Sequence, residues 1–259
     1  MNSAEEAQLA DPARGPRIEK VRHELKGRVL HVEKTEYVTP GMKRIHLHGE
    51  DLADFASLGA DDHIKIVVPT ESGERQMRTY TPRRYSADDR TMLIDFAIHE
   101  AGPATRWALD AKPGDTLEVR GPKGSSYIAS EIEHWVLVGD ETALPAIGRY
   151  IEEAAEGTKI TAIVTVVGPD EHQPFETKAD LTTHWIHRPL TEGNKADHLL
   201  EGLKAVTLTP STYVWIAAET TVVKALRRYL VEEQGHAKKW LKAAGYWIAG
   251  KADGHESFD

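Results

Sequence analysis

The sequence predicts a two-domain protein in which an antiparallel β-barrel is followed by an α/β domain built on a parallel sheet. Two patterns predict this fold class. From about residue 26 to residue 130, short segments alternate apolar with polar residues, as Ile45 and Leu47 do with the residues beside them, and turn signals separate the segments. After Ile132, continuous apolar runs alternate with helical stripes, which is typical of a parallel sheet covered on both faces.

The domain boundary is therefore placed near residue 130, with a barrel domain at 23–130 and an α/β domain at 131–259. Residues 1–22 mix Ala, Glu, Pro and Arg without periodicity, and we expect a mobile tail there. Residues 102–111 interrupt the predicted barrel strands with helical character. The turn signals of the barrel domain are Pro40-Gly41, Ser72-Gly73, Pro113-Gly114 and Gly121-Pro122.

The α/β domain is predicted to contain five strands. They are residues 134–138, 160–167, 183–187, 213–217 and 246–249. A helix follows the first strand, with Ala143, Ile147 and Ile151 on one stripe. A second helix is predicted over residues 221–233, where Val222 and Leu226 repeat every four residues.

Composition excludes several classes of function. The 259 residues contain no cysteine, which rules out disulfides, thiolate metal sites and cysteine nucleophiles. The net charge of −9 argues against nucleic acid as a partner, because phosphate neutralisation needs a basic face. No apolar run approaches the roughly 18 residues that span a bilayer, and the N-terminus is not a signal peptide. We therefore expect a cytoplasmic protein, a monomer, that does not insert into membranes.

The segment Arg78-Thr79-Tyr80-Thr81 can bind a flavin nucleotide. An Arg side chain pairs with phosphate oxygens in fixed fork geometry, and a Tyr ring can lie flat on a ring system. The hydroxyl of Thr81 can then hydrogen-bond a ring nitrogen. Taken alone, such a short motif also fits an exposed strand end with a positive rim.

A second candidate site begins at Gly102, which follows a strand and opens a helix. The free N–H groups at a helix start attract anions. The small residues of this segment, which includes Ala104 and Thr105, would let a pyrophosphate approach. His99 and Trp107 can flank an adenosine. For Trp107, an ordinary place in the core is the alternative.

A third candidate site is the turn at Gly139-Asp140-Glu141-Thr142-Ala143, between a strand and a helix. Open α/β sheets bind nucleotides at such turns. The turn lacks the G-x-G-x-x-G pattern, so the segment taken alone favours the alternative, a helix start capped by Asp140 or Thr142. Asp170 and Glu171 follow the next strand, where an acidic group often contacts an unphosphorylated ribose, and they favour NADH.

Together these segments resemble the siderophore-interacting protein family within the ferredoxin-reductase-like flavoproteins. The matching segments are Val38-Thr39-Pro40-Gly41-Met42, Asp62-His63-Ile64-Lys65, Arg78-Thr79-Tyr80-Thr81, residues 102–108, residues 139–146 and Gly245-Tyr246-Trp247. The resemblance implies FAD at the first two sites and NADPH at the third. It implies a reductase in which NAD(P)H gives a hydride to FAD, and the flavin passes electrons to the Fe(III) of a siderophore.

The family holds its anionic substrates with basic residues around the flavin. Here Lys65, Arg83, Arg84 and Lys251 are the candidates, and Lys65 and His63 share a strand face. The chain departs from the family after Gly245-Tyr246-Trp247, because the first cation there is Lys251.

Other chemistry has less support in the sequence. No catalytic acid or base is required by the implied reaction, since the cofactor carries the chemistry. The 13 histidines show no convincing set of protein metal ligands, and no nucleophile–base pair indicates a hydrolase. The alternatives are a general flavin or quinone reductase (a diaphorase) and a siderophore- or nucleotide-binding carrier without turnover.

Overall fold

The computed structural model describes residues 10–70, 72–99, 102–251 and 256–258. Its first domain is a seven-stranded antiparallel sheet in the order β5-β4-β8-β2-β3-β7-β6. The strands are β2 (Gly27–Thr39), β3 (Met42–His48), β4 (Ile64–Pro69), β5 (Arg75–Tyr80), β6 (Pro82–Ser86), β7 (Thr91–Ala97) and β8 (Thr116–Arg120). Helix α1 (Pro103–Asp110) packs against β3, β4 and β7.

The sheet is curled. Strand β5 ends at Tyr80 and β6 begins at Pro82, yet these two strands lie at opposite edges of the sheet. A single residue, Thr81, connects them, so the two edges must come close together. The inward faces enclose one apolar core, which includes Leu30, Ile66 and Phe96, each fully buried. The predicted antiparallel domain is confirmed.

Part of the predicted tail has a regular structure. Strand β1 (Ile18–Arg22) pairs antiparallel with β9 (Gly124–Ile128). Further upstream, the Ala10 amide donates to the Glu131 carbonyl, and the Pro12 carbonyl accepts from the Trp240 indole at 3.2 Å. Strand β1 was not predicted, because most of its side chains are exposed and show no apolar–polar alternation. Residues 1–9 lie outside the described residues.

The second domain is a six-stranded sheet in the order β12-β11-β10-β13-β14-β15. Its strands are β10 (His134–Gly139), β11 (Lys159–Val166), β12 (Asp180–His187), β13 (Thr212–Glu219), β14 (Leu241–Trp247) and β15 (Glu256–Ser257). The first five are parallel, as predicted, and β15 is antiparallel. The predicted fifth strand, 246–249, overlaps only the end of β14, which begins at Leu241. The helices are α2 (Leu144–Glu152), α3 (Asp197–Lys204) and α4 (Thr220–Arg228).

The strand order contains a topological switch point. The chain leaves β10 towards β11 and β12 on one side, and β13 and β14 pair on the other side. The carboxyl ends of β10 and β13 therefore diverge into helices on different faces, which opens a crevice where α/β sheets bind ligands. Within the described residues, no helix is long and apolar enough to cross a membrane.

Candidate functional site

Strand β5 carries the Arg-x-Tyr-Thr segment along an edge of the curled sheet. Arg78 and Tyr80 pair with Ile66 and Ile64 of β4, so both side chains lie on the face that carries the core. The Arg78 guanidinium donates to the Met77 carbonyl at 2.9 Å and to the Gln76 side chain at 2.6 Å. No carboxylate among the described residues forms an ion pair with Arg78, so its charge remains available to an anion.

Tyr80 begins a column of aromatic rings across the barrel. Its ring centroid lies 4.5 Å from that of Phe96, which in turn lies 5.8 Å from that of Trp107 on α1. Burial raises the pKa of the Tyr80 hydroxyl above its ordinary value, so it stays protonated. Trp107 is half-buried against the barrel core, which agrees with the core alternative for this residue.

The start of α1 is open. Gly102 is the N-cap in an extended conformation, and no side chain caps the helix. Apart from its chain neighbours, no atom of the residues that the structure describes lies within 4 Å of the position that a Cβ would take at Gly102. Ala104 and Thr105 are buried beneath the first turn. The first amides of α1 therefore lack side-chain partners on an unobstructed surface. His99, just after β7, is exposed, and residues 100 and 101 lie outside the described residues.

Thr81, the last residue of the Arg-x-Tyr-Thr segment, contacts the end of the parallel sheet. The side chain of Thr81 is buried and hydrogen-bonds the hydroxyl of Tyr246 in β14. Burial and the charge of Asp61 raise the pKa of Tyr246 well above its ordinary value, and the hydrogen bond from Thr81 works in the opposite direction. Two segments far apart in the sequence thus meet in one place.

Asp61 is the centre of this interdomain contact. Its carboxylate comes from the barrel domain and accepts from the Trp215 indole at 2.9 Å and from the Lys242 ammonium at 2.6 Å, both in the α/β domain. Burial, followed by the charge of Asp61, raises the pKa of Tyr150 well above its ordinary value. The ring of Trp215 lies 5.3 Å from Tyr150 and 6.2 Å from Tyr246. Asp61 therefore fixes the barrel against the aromatic residues of the parallel sheet.

Asp140 has a different place from the predicted contact with a cofactor. It is 1% exposed, and one carboxylate oxygen accepts from the amide and hydroxyl of Thr142. The other oxygen accepts from the Glu219 amide at 3.1 Å and the Trp247 indole at 2.8 Å. Asp140 thus connects the carboxyl ends of β10, β13 and β14 from beneath. Asp140 and Thr142 therefore form a side-chain-stabilised turn before α2 and do not cap the helix, whose N-cap is Ala143 without a side-chain hydrogen bond.

Glu141 pairs with Arg188, which follows β12. The carboxylate accepts from the Arg188 guanidinium at 2.7 Å, and Arg188 is 3% exposed. Burial and the neighbouring charge of Asp140 raise the pKa of Glu141 to about 7, although Arg188 acts to lower it. This pair links the turn after β10 to the end of the edge strand β12.

The turn before α2 is tightly packed on the sheet. A Cβ at Gly139 would lie 2.5 Å from the Ala143 side chain and 2.7 Å from the Ala217 carbonyl, so only glycine fits. At Gly245, a Cβ would lie 2.2 Å from the Thr220 hydroxyl. These close contacts keep the three strand ends level with one another.

Sequence reasoning missed Glu219. This residue is 1% exposed and is the N-cap of α4, where its carboxylate accepts from the amides of Thr221 and Val222. Its other oxygen accepts from the Ala249 amide at 3.2 Å, which holds the segment after Trp247. Glu is uncommon as an N-cap compared with Ser, Thr, Asp and Asn, so the usual signal was absent.

Among the predicted substrate cations, Arg83 is engaged elsewhere. Its guanidinium forms two hydrogen bonds to Glu152 of α2, at 2.6 and 2.8 Å, and it is 6% exposed. Arg83 therefore belongs to the interdomain contact and not to a substrate site. Arg84 is largely exposed and also reaches Glu152, at 3.0 Å.

The other two predicted cations are accessible. Lys65 is half-buried and donates to the Thr79 hydroxyl at 2.6 Å, directly across from it on β5. This contact places Lys65 beside the Arg-x-Tyr-Thr segment. Lys251 is exposed in the turn after β14, where its amide donates to the Ile248 carbonyl at 3.0 Å.

Glu171 lies at the domain interface instead of a ribose site. Its carboxylate accepts from the Thr39 hydroxyl at 2.6 Å and from the Gly41 amide at 2.8 Å, both in the barrel domain. The space beside Gly41 is filled by this carboxylate, since a Cβ there would lie 2.9 Å from it. Glu171 is therefore bound to the barrel domain, and the NADH preference argued from Asp170 and Glu171 stays a prediction.

A curled antiparallel sheet that presents its edge to the switch point of a parallel sheet defines the ferredoxin-reductase-like class. The cytochrome b5 reductase domain of Ulva prolifera nitrate reductase shares this fold, with a TM-score of 0.62 and 15% identity over 90% of this chain and 97% of that domain.

The particular family follows from closer comparisons. The family model described as "Siderophore-interacting protein" matches residues 132–250, and the "Siderophore-interacting FAD-binding domain" matches residues 31–76 and 71–126. The NADPH-dependent ferric-chelate reductase of Escherichia coli K12 is 31% identical, over 89% of this chain and 96% of the reductase. A siderophore utilization protein from T. fusca has a TM-score of 0.85 and 34% identity, over 92% of this chain and 98% of that one. The chain belongs to the siderophore-interacting protein family.

Proposed function

We propose that the protein is an FAD-containing, NAD(P)H-dependent reductase of ferric-siderophore chelates, which releases Fe(II) for intracellular iron assimilation. The observation that carries the proposal is the contact between Thr81 and Tyr246. It brings the end of the flavin-like strand to the carboxyl end of β14, beside the crevice where a nicotinamide would bind. Electron transfer between two cofactors requires such proximity.

The chain's own residues suit FAD. Arg78 offers a guanidinium that pairs with no carboxylate in the described part of the chain, and the uncapped start of α1 at Gly102 offers amides, so the two can share a pyrophosphate. Tyr80 and Thr81 lie at the end of β5, where they would contact the flavin ring. The Thr79 hydroxyl accepts a hydrogen bond from Lys65. Bound FAD would accept a hydride and return single electrons, which is chemistry that the side chains do not supply.

The nicotinamide nucleotide is assigned to the turn between β10 and α2. Gly139 and Ala143 keep this turn close to the sheet, and Asp140 supports it from beneath. Thr142 and Glu141 remain half-buried at the crevice. The name of the E. coli relative supports the assignment of a nicotinamide donor and of a ferric chelate as acceptor.

The acceptor is assigned to Lys65 and Lys251, and Arg84 is a further candidate. Many ferric chelates are anionic, and a protein with a net charge of −9 needs a local cationic surface to bind them. Iron would leave after reduction because Fe(II) has a lower charge and binds hard oxygen ligands less strongly. We also propose that the protein acts in the cytoplasm, as a monomer.

Anaerobic kinetics test this proposal. The purified protein is expected to be yellow and to lose its flavin colour on addition of NADH or NADPH. Ferric chelates of catecholate, hydroxamate and carboxylate type should then restore the colour, and a dye specific for Fe(II) should report release. Reoxidation by quinones or free flavin but by no ferric chelate would indicate a general diaphorase. Binding of a ferric chelate without flavin would indicate a carrier.

A further inference from the structure

Two histidines meet at the carboxyl end of the outermost parallel strands. The Nε2 atoms of His172 and His187 lie 2.8 Å apart, and the two ring centroids lie 5.1 Å apart. His187 is the last residue of β12, opposite Val166 at the end of β11. His172 follows the short helical turn after β11. The proposed function does not use either residue.

The ring of Trp185 holds this pair in place from one side. The His172 ring stacks on Trp185, with centroids 4.7 Å apart and an interplanar angle of 14°. His187 is exposed and His172 is half-buried, so the pair lies at the protein surface. Trp185 and His187 share a strand face, as residues i and i+2 must. The stack therefore orients His172 towards His187.

The electrostatic surroundings suit an anion. No carboxylate among the described residues lies within ion-pair distance of either imidazole. The nearest acidic candidate in the sequence, Glu171, is bound to Thr39 and Gly41 of the barrel. Two neutral imidazoles in contact through Nε2 share one N–H, whereas two imidazolium rings offer two donors to a single phosphate.

The position suits one phosphate in particular. When a dinucleotide lies across the carboxyl edge of such a sheet, its pyrophosphate is at the helix start after the first strand and its adenosine ribose lies towards the neighbouring strand. Here the helix start follows β10, and β11 and β12 are the next strands on that side. We propose that His172 and His187 bind the 2′-phosphate of NADPH and so make the protein select NADPH over NADH. This inference rests on the nucleotide position in the proposed function.

The test uses His172→Gln and His187→Gln in the full-length protein, because Gln keeps a donor near Nε2 but carries no charge. His184→Gln is the matched control, an exposed histidine on the opposite face of the same strand. The binding of adenosine 2′,5′-bisphosphate and of 5′-AMP is measured by calorimetry at a slightly acidic pH, the same for all variants. Each variant of the pair should bind the bisphosphate about tenfold more weakly, while 5′-AMP binding changes by less than about twofold.

Steady-state kinetics provide the second measurement. In each variant the kcat/KM for NADPH should fall about tenfold because KM rises. The kcat/KM for NADH should be unchanged. Equal losses for both nucleotides, or no loss for the bisphosphate, would overturn the assignment, as would a similar effect of His184→Gln. If the wild-type protein reduces no ferric chelate, the proposed function fails, but the comparison of bisphosphate with 5′-AMP still decides the role of the two histidines.

Discussion

Arg83 of β6 and Glu152 of α2 form a two-point ion pair across the domain interface. The nitrogen–oxygen distances are 2.6 and 2.8 Å, and the two side chains are 6% and 13% exposed. Gly148, one turn before Glu152, leaves room for the guanidinium, since a Cβ there would lie 2.8 Å from it. The relative position of the barrel and the parallel sheet therefore depends on a charged contact that excludes most water.

Replacing Glu152 with Gln should destabilise the protein by about 2 kcal/mol, because Arg83 would lose its two-point ionic partner. It would keep only the longer contact, at 3.8 Å, with Asp95, whose carboxylate also binds Arg44. Urea unfolding measures the change in the free energy of unfolding. Glu156→Gln, an exposed carboxylate beyond the end of α2, is the matched control and should change stability by less than about 0.5 kcal/mol. Equal stabilities of the two variants would contradict the role given to the pair.

The same pair predicts a pH dependence. Burial acts to raise the pKa of Glu152, but hydrogen bonds and charge from Arg83 and Arg84 outweigh it and leave the pKa below its ordinary value of 4.5. A depressed pKa in the folded state gives stability that is present above pH 4.5 and is lost as the pH falls through the folded value. The stability difference between wild type and Glu152→Gln should therefore shrink below about pH 4. A difference that stays constant as the pH falls further below that value would argue against this role of Glu152.

For Glu141 we expect the opposite pH dependence of the free energy of unfolding. Burial, with the charge of Asp140, raises its pKa to about 7, so the folded state favours the protonated form. The contribution is fully present below the ordinary value of 4.5 and is lost as the pH rises through about 7. Unfolding at pH 5 and pH 8 should show Glu141→Gln improving relative to wild type at the higher pH. A relative loss at pH 8 would mean that Arg188 keeps this carboxylate ionised.

The proposed role of Arg78 in FAD binding can be tested without measuring turnover. Arg78→Ala should bind FAD about ten- to a hundredfold more weakly, a loss of roughly 1.5–3 kcal/mol for a charge-assisted phosphate contact. Arg75→Ala on the same strand is the control, because Arg75 is exposed and pairs with Glu118. Fluorescence titration of the apoprotein with FAD gives both affinities. Wild-type affinity in Arg78→Ala would remove this residue from the cofactor site.

The two sequence patterns were sufficient to predict the fold class because each follows from burial. Residues 134–138 form an uninterrupted apolar run, and β10 is buried on both faces. Strand β3 alternates because only one of its faces contacts the core. Helix α3 was not predicted, since its eight residues are too short for a clear period.

The contacts between domains were not predictable from the sequence. Asp61, Glu152 and Glu171 each meet partners far away in the chain, and no local spacing indicates which cation or amide a carboxylate will reach. Arg83 was assigned to the substrate for this reason, because an Arg beside a flavin-like segment looks exposed until its partner on α2 is known. The buried position of Asp140 likewise depends on Trp247 and Glu219, which fold next to it from other strands.

Lys65 and Lys251 remain as candidates for the acceptor site. Lys65 is fixed beside Thr79 on the flavin-like strand, and Lys251 lies in the turn after β14, whose Tyr246 contacts Thr81. Both side chains therefore lie on elements that converge on the proposed flavin ring. Removing both charges should slow the reoxidation of reduced protein by an anionic ferric chelate at least about tenfold at low ionic strength, because the local cationic surface would be lost.

Stopped-flow reoxidation of the Lys65→Ala, Lys251→Ala double variant measures this effect, with Lys159→Ala as the control. Lys159 is exposed at the amino end of β11, whereas the proposed site lies at the carboxyl ends of the parallel strands. Flavin reduction by NAD(P)H should be unchanged in all variants, and raising the ionic strength of wild type should reproduce the defect, since salt screens exposed charges beyond about 10 Å at 0.1 M. An uncharged ferric chelate should be reduced equally by wild type and the double variant. If the anionic chelate also reacts at the wild-type rate with the double variant, the acceptor binds at another surface.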